Sequence, residues 1–228
     1  MKTIVITGGS DGLGKSIAKV LSKDNKVIIL SNNKEKVIQV SQELEVEYKV
    51  CDVTNFSEVD MTIKDIIEKH NSIDILINNA GIWLAGDPTE NNYEEISTCI
   101  DVNTKGPIYM TKAVLPYMYQ NNQGLIINVC SSASFESDDF SSVYTASKWA
   151  IRGFNLALQP TLAKKNIKLV GFYPGFMQTD IFKKAGNNYD TSTGLEVEKV
   201  ANAIKYIVDI KDNDVIIPEF RIKDIENY

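Results

Sequence analysis

A chain of 228 residues is long enough to bury the core of one large α/β domain. Its apolar fraction of 43% is that of a globular protein, and no apolar run reaches the ~20 residues that a membrane helix needs. A net charge of −6 argues against nucleic acid as a partner, and the single histidine, His70, all but excludes a His-based triad or a multi-His metal site.

Met1-Lys2-Thr3 leads straight into Ile4-Val5-Ile6, an apolar run that predicts a strand, and no signal peptide is expected. Thr7-Gly8-Gly9-Ser10-Asp11-Gly12-Leu13-Gly14 follows, then the helical pattern Ile17-Ala18 and Val20-Leu21. A glycine turn between strand and helix aims backbone N–H groups and the positive end of the helix dipole at one spot. That spot suits the pyrophosphate of a dinucleotide, because a side chain there would block the approach of the phosphates. The spacing is G-x-x-x-G-x-G rather than G-x-G-x-x-G, so the turn alone also reads as an ordinary strand-to-helix connection.

Val27 to Leu30 predicts a second buried strand, Lys34 to Leu44 a helix, and Tyr48 to Cys51 a third strand ending at Asp52. Asn55 caps a helix with apolar spacing (Val59, Ile63, Ile66, Ile67) that runs to His70. Ile73 to Ile77 predicts the fourth strand. Helical pattern covers about 90–101 and 106–120, on either side of a break at Asn103–Gly106. Gly124 opens a fifth strand, Leu125 to Val129, and Val143 to Lys165 is helical with a kink expected at Pro160. Ile167 to Tyr173 is the sixth strand, 181–194 a polar segment expected to move, 196–210 a helix, and Val215 to Ile217 the last strand. Strands alternating with helices predict βαβ units and a parallel sheet covered on both faces, with residues 1–228 as one domain. Cys51, Cys99 and Cys130 are odd in number and widely spaced, which reads as reduced core cysteines in a cytoplasmic protein.

Parallel sheets bind ligands beyond the carboxyl ends of their strands. Reading the residues there collects the glycine turn, Cys51-Asp52-Val53, Asn78-Asn79-Ala80-Gly81, Ser131-Ser132 and Pro174-Gly175 around one expected cleft. Further on, Tyr144 and Lys148 stand at i and i+4, on one face of a helix. A lysine ammonium beside a phenol favours the phenolate and brings proton transfer toward neutral pH. Taken alone, a Tyr/Lys pair is more often a surface accident. Ser131, thirteen residues earlier at a strand end, is placed to bond the same reacting oxygen.

With these residues in view the chain resembles the short-chain dehydrogenase/reductase family, over nearly its whole length and with the motifs in the family's order. Thr7 to Gly14 resembles T-G-x-x-x-G-x-G, Asn78 to Gly81 resembles N-N-A-G, and Asn103 to Gly106 the segment with the family's Asn. Asn128-Val129-Cys130-Ser131 resembles N-[IV]-S-S, which selects Ser131 over Ser132; Tyr144 to Lys148 resembles Y-x-x-x-K, and Pro174 to Thr179 P-G-x-x-x-T. The resemblance implies a Rossmann-type, doubly wound, mostly parallel seven-stranded sheet. It implies hydride transfer between a nicotinamide coenzyme and a small ketone, aldehyde or secondary alcohol, with no metal. By the same resemblance Tyr144 gives and takes the proton, Lys148 tunes it and binds the ribose, Ser131 orients the substrate oxygen, and Asn103 supports a water relay through Lys148. The coenzyme would lie along Gly8, Ser10, Asp11, Gly12, Leu13 and Gly14, then Ser31 and Asn32, with Asp52 and Val53 at the adenine. Asn79, Ala80 and Gly81, the pair Tyr144 and Lys148, and Pro174, Gly175, Met177 and Thr179 complete its expected path. Asp52 also reads as a loop cap and Asn103 as a turn residue.

No carboxylate follows the second strand in Leu30-Ser31-Asn32-Asn33-Lys34, which favours NADP over NAD, with Lys34 adding charge. Asp11 stands against that, as does Asn32 where many NADP users carry Arg. Trp83 and Trp149 read as packing residues; Phe176, Met177, Ile181 and Phe182 read equally as pocket lining or as packing under a lid. The helices at 106–120 and 143–165 carry apolar residues on more than one face (Ile108, Tyr109, Met110, Val114; Trp149, Ile151, Phe154, Leu156). Family likeness there implies a homodimer or homotetramer. The sequence ends soon after its last predicted strand, so no added substrate domain is expected. The competing readings are a non-catalytic dinucleotide sensor or scaffold on this fold, and a methyltransferase, which would not need Tyr144 with Lys148.

Overall fold

Ile4, Val5 and Ile6 are wholly buried, because the strand they form lies near the middle of a sheet covered on both faces. The computed structural model describes residues 1–136, 140–211 and 214–225. The strands are β1 (Thr3–Thr7), β2 (Lys26–Ser31), β3 (Glu47–Val50), β4 (Ile75–Asn78), β5 (Gly124–Val129), β6 (Ile167–Pro174) and β7 (Glu219–Ile222). They form one seven-stranded, all-parallel sheet in the order β3-β2-β1-β4-β5-β6-β7. The chain builds outward from β1 to β3, then crosses to β4 and builds the other way. The direction of winding therefore switches between β1 and β4, the place where such sheets hold ligands.

The helices are α1 (Gly12–Leu21), α2 (Lys34–Leu44), α3 (Phe56–His70), α4 (Tyr93–Ile100), α5 (Gly106–Asn121), α6 (Ser142–Ala163), α7 (Ile181–Lys184) and α8 (Val197–Asp209). Side chains of a strand alternate between faces, so one strand feeds two cores. Ile4 and Ile6 pack with Ile17 and Leu21 of α1 and Ile204 of α8. Val5 packs with Ile63 of α3 and Met110 and Val114 of α5 on the opposite face. Each such side chain, fully buried, contributes about 1.5–3 kcal/mol relative to exposure. No described helix is long and apolar enough to cross a membrane.

Local signals hold where capping is strong. Asn33 caps α2 by accepting from Lys36 N, and Asn55 caps α3 by accepting from Ser57 N and Glu58 N. The predicted break at Asn103–Gly106 is instead a π-helical turn, Asp101–Lys105, that joins α4 to α5 without a gap. The last strand is Glu219–Ile222, not Val215–Ile217. Val215 and Ile216 are exposed, whereas Glu219 and Phe220 have partners on the sheet. Phe220 stacks on Phe172 of β6 at 5.5 Å, and Glu219 Oε1 accepts from Arg152 and from Tyr173 Oη. An edge strand tolerates this mixed composition, so a β-branched run was the wrong guide. β3 ends at Val50, so Cys51 lies just past it. α6 runs through Pro160 to Ala163. Ile181–Lys184, inside the polar segment, is helical. Met110, Val114 and Ile151, read as surplus apolar residues, are core; Trp149 and Leu156 are exposed.

Candidate active site

The carboxyl ends of β1, β2 and β4 open into a cleft of about 790 Å³. Gly12 has φ +46°, a left-handed conformation that favours glycine, and a Cβ on it would meet nothing nearer than Thr179 Cγ2 at 3.8 Å. The first turn of α1 therefore faces open cleft with its backbone. A Cβ on Gly14 would fall 2.2 Å from Gly8 O, so this glycine serves the turn's own closure. Thr7 Oγ1 accepts from Asn79 N and Ala80 N, both at 3.0 Å, and Asn79 Nδ2 donates to Thr7 O and Gly8 O. These bonds staple the loop after β4 to the glycine turn. Thr7 carries that role, which its place before the glycines does not announce.

Tyr144 and Lys148 lie in the first turns of α6 and both line the cleft. Lys148 is only 6% exposed, and its Nζ stands 5.6 Å from the centre of the Tyr144 ring. Burial pushes the Lys148 ammonium below the ordinary lysine range, because the charged form loses hydration. Cys130 beside it is pushed up to about 12, chiefly by its own burial.

Two networks hold α6 in place. Asn78 Nδ2 donates to Asn128 Oδ1 at 2.8 Å, and Asn128 Nδ2 to Asn155 Oδ1 at 2.6 Å, a buried thread from β4 through β5 to α6. In the π-turn, Asn103 Oδ1 accepts from Ile82 N, while Nδ2 donates to Ile82 O and to Ser147 Oγ. Ser147 Oγ in turn donates to Tyr144 O at 2.6 Å. The π-turn, the loop after β4 and the Tyr144 turn are thus one bonded unit. A Cβ on Gly81 would stand 3.3 Å from Asn103 Oδ1 and 3.5 Å from Lys148 Nζ, which shows how closely these groups converge.

Of the expected cofactor residues, Gly8, Ser10, Asp11, Gly12, Leu13, Ser31, Asn32, Asp52 and Val53 line the cleft. So do Asn79, Ala80, Gly81, Met177 and Thr179. Gly14, Pro174 and Gly175 do not; Gly175 N donates to Ile222 O and closes β6 onto β7. Asn103 and Ser131 also lie outside the lining, and Ser131 Oγ accepts from Ala133 N at 3.2 Å. Asp52 lines the cleft and also caps its loop, accepting from Thr54 N and Oγ1.

The rim corrects the charge reading. Lys34 is exposed and does not line the cleft; Lys36 and Lys184 do. Both donate to Asp11 Oδ2, at 3.2 and 2.6 Å. Partial burial raises the Asp11 carboxyl, but the two lysines and Gly12 N outweigh it and its pKa falls to about 2. Ion pairs this open to water are worth about 0–1 kcal/mol each. Trp83 both lines the cleft and packs edge-on against Phe182 and Tyr189, at 4.8 and 5.6 Å. Ile181 and Met177 line the cleft, and Phe182 packs against Phe176 at 5.3 Å. Trp149 is 47% exposed, with the Arg152 guanidinium 5.9 Å from its ring centre.

A glycine turn at a helix N-terminus, a winding switch above it and a buried lysine beside a tyrosine define a dinucleotide-dependent enzyme on a Rossmann-like sheet. The family description "short chain dehydrogenase" matches residues 2–190, and the chain belongs to that family and is one of its oxidoreductases. An uncharacterized oxidoreductase of Staphylococcus epidermidis is 34% identical over 208 residues, 90% of each chain. Among solved structures, the closed form of a serine dehydrogenase complexed with NADP+ superposes with a TM-score of 0.92 at 29% identity, covering 99% of this chain and 96% of the other. A metagenomic short-chain oxidoreductase in complex with NADP superposes with a TM-score of 0.83 at 25% identity, covering 96% of each.

Proposed function

We propose that the protein transfers a hydride between NADP(H) and a small carbonyl or secondary alcohol, with Tyr144 as its acid–base group. One observation carries the reading: a buried Lys148 ammonium stands 5.6 Å from the Tyr144 ring at the wall of a dinucleotide-sized cleft. The coenzyme supplies the hydride when bound. Tyr144 Oη donates its proton to the substrate oxygen during reduction and takes it back during oxidation. Lys148 stabilises the negative charge that this leaves on the phenol, more strongly for being buried. Ser131 orients the substrate oxygen. Asn103 acts through Ile82 and Ser147, holding the Tyr144 turn against the loop after β4. Ile82, Trp83, Leu84 and Met177 line the same cleft as Tyr144 and add apolar surface to it, which suits a substrate with an apolar substituent.

The choice of NADP is supported by the lack of a carboxylate in Ser31-Asn32-Asn33-Lys34, by Lys36 and Lys184 in the cleft lining, and by the NADP in two structural relatives. A screen of carbonyl compounds with NADPH and NADH tests the activity and the coenzyme together. The expected result is a higher kcat/KM with NADPH, moved toward NADH by Ser31→Asp; turnover with neither coenzyme would refute the reading. We also propose a homo-oligomer that pairs α6 with α6 of a second copy, in a cytoplasmic protein.

A further inference from the structure

Three side chains from three separate elements meet at the outer rim of the cleft. Asp11 ends the glycine turn, Lys36 sits in the first turn of α2, and Lys184 is the last residue of α7. Both ammoniums converge on Asp11 Oδ2, while Oδ1 accepts from Gly12 N at 2.7 Å. Two cations on one carboxylate leave one positive charge in surplus, on a chain whose net charge is −6. Ser31 and Asn32 line the same cleft, and Ser10, next to Asp11 in the chain, bonds Ser31. Ser31 Oγ accepts from Ser10 Oγ at 2.8 Å and from Asn33 N at 3.2 Å. A hydroxyl that accepts twice has its own proton left to offer, and it offers it best to an anion.

We propose that Lys184 is a specificity-determining residue, carried by α7 to the 2′-phosphate of the bound coenzyme, with Lys36 and the Ser31 hydroxyl completing that subsite. The inference rests on the NADP reading above and adds to it a residue from a different part of the chain. In the free protein Asp11 holds the two lysines in place. A 2′-phosphate competes for them with more charge and three acceptor oxygens. The Asp11 bonds are open to solvent and weakened by salt, so they can be exchanged. Against its partial burial, the two lysines hold the Asp11 carboxyl well below the usual carboxylate range, so both the pair and its exchange are charge-based and depend on ionic strength. The aromatic contacts of Phe182 with Trp83 and Tyr189 seat α7 independently of Lys184.

The test is the binding of adenosine 2′,5′-bisphosphate and of 5′-AMP to the whole protein, by calorimetry. Wild type is expected to hold the bisphosphate about tenfold or more tighter at low salt, with the ratio falling as salt rises. Lys184→Gln should cut that ratio about fivefold and leave 5′-AMP affinity in place, and it should raise KM for NADPH but not for NADH. Phe182→Ala, which unseats α7, should lower the ratio in the same direction. Lys34→Gln, a charge removed outside the cleft, should leave it unchanged. Equal weakening of both fragments in Lys184→Gln, or an equal effect of Lys34→Gln, overturns the assignment. Equal binding of the two fragments by wild type overturns it while the dinucleotide reading stands. Binding of neither fragment and neither coenzyme overturns both.

Discussion

At the scale of single residues, the site depends on one burial that works against the fold. Lys148 loses hydration when its helix packs, and among the described residues the groups that act on its charge are the thiols Cys130 and Cys99. A lysine whose folded pKa is lowered destabilises the fold wherever it stays protonated. That cost shrinks as pH rises through the folded value toward the ordinary lysine value of 10.5. Lys148→Met should therefore raise Tm at neutral pH and flatten the alkaline rise in stability, while turnover falls at least about 10³-fold. Calorimetric melts of both proteins between pH 6 and about pH 10 check this, and a lowered Tm would contradict it. Tyr144→Phe removes only the hydroxyl; it should keep coenzyme affinity and lose about 10³-fold or more in kcat. Substantial turnover in that variant would displace Tyr144 as proton donor. Tyr144, Lys148 and the glycine turn were legible because each motif is local in sequence. Lys36 and Lys184 were not: Lys184 lies 173 positions from the carboxylate it meets, and nothing in the spacing of either residue signals the meeting.

At the scale of elements, the π-turn shows where pattern reading stops. A dip in helical pattern at Asn103–Gly106 was visible, but a break and a π-turn look alike in sequence. The difference decides where the amide points, because an unbroken α4–π–α5 path directs the Asn103 amide inward to Ile82 and Ser147. Asn103→Ala leaves Ile82 N, Ile82 O and Ser147 Oγ short of partners in a site that is 1% exposed at Asn103. It should cost about 1–3 kcal/mol of stability by urea unfolding. It should also lower kcat more than it raises KM, since the Tyr144 turn loses its brace. An unchanged kcat would mean that Asn103 only stabilises. α2 and α3 were bounded well from sequence because asparagine caps write their starts. β7 was misplaced because an edge strand is chosen by its pairing with β6 and by partners such as Arg152, which no periodicity contains.

At the scale of the molecule, α6 presents two different faces. Ile151, Asn155 and Leu162 are buried toward the sheet. On the other side Trp149 and Leu156 are 47% and 46% exposed, with Gly153 between them and nothing within 4 Å of a Cβ placed there. Positions 149, 153, 156 and 160 follow helical spacing, so they form a single outward stripe. Large apolar groups flanking a glycine suit close contact with a second helix, and a two-fold axis would set two copies of this stripe against each other. Lys148 and Trp149 are neighbours in sequence, one turned into the site and one outward. An interface here therefore holds rigid the same turns that carry Tyr144 and Lys148. Sedimentation at micromolar concentration should give a dimer or larger species. Trp149→Glu should shift it to monomer, because each copy would bury an unpaired carboxylate in the contact. Specific activity should then fall on dilution in wild type and should lie at the diluted level in the variant at any concentration. A wild-type monomer at micromolar concentration would sink the interface. A Trp149→Glu protein that remains an oligomer would move the contact to another face.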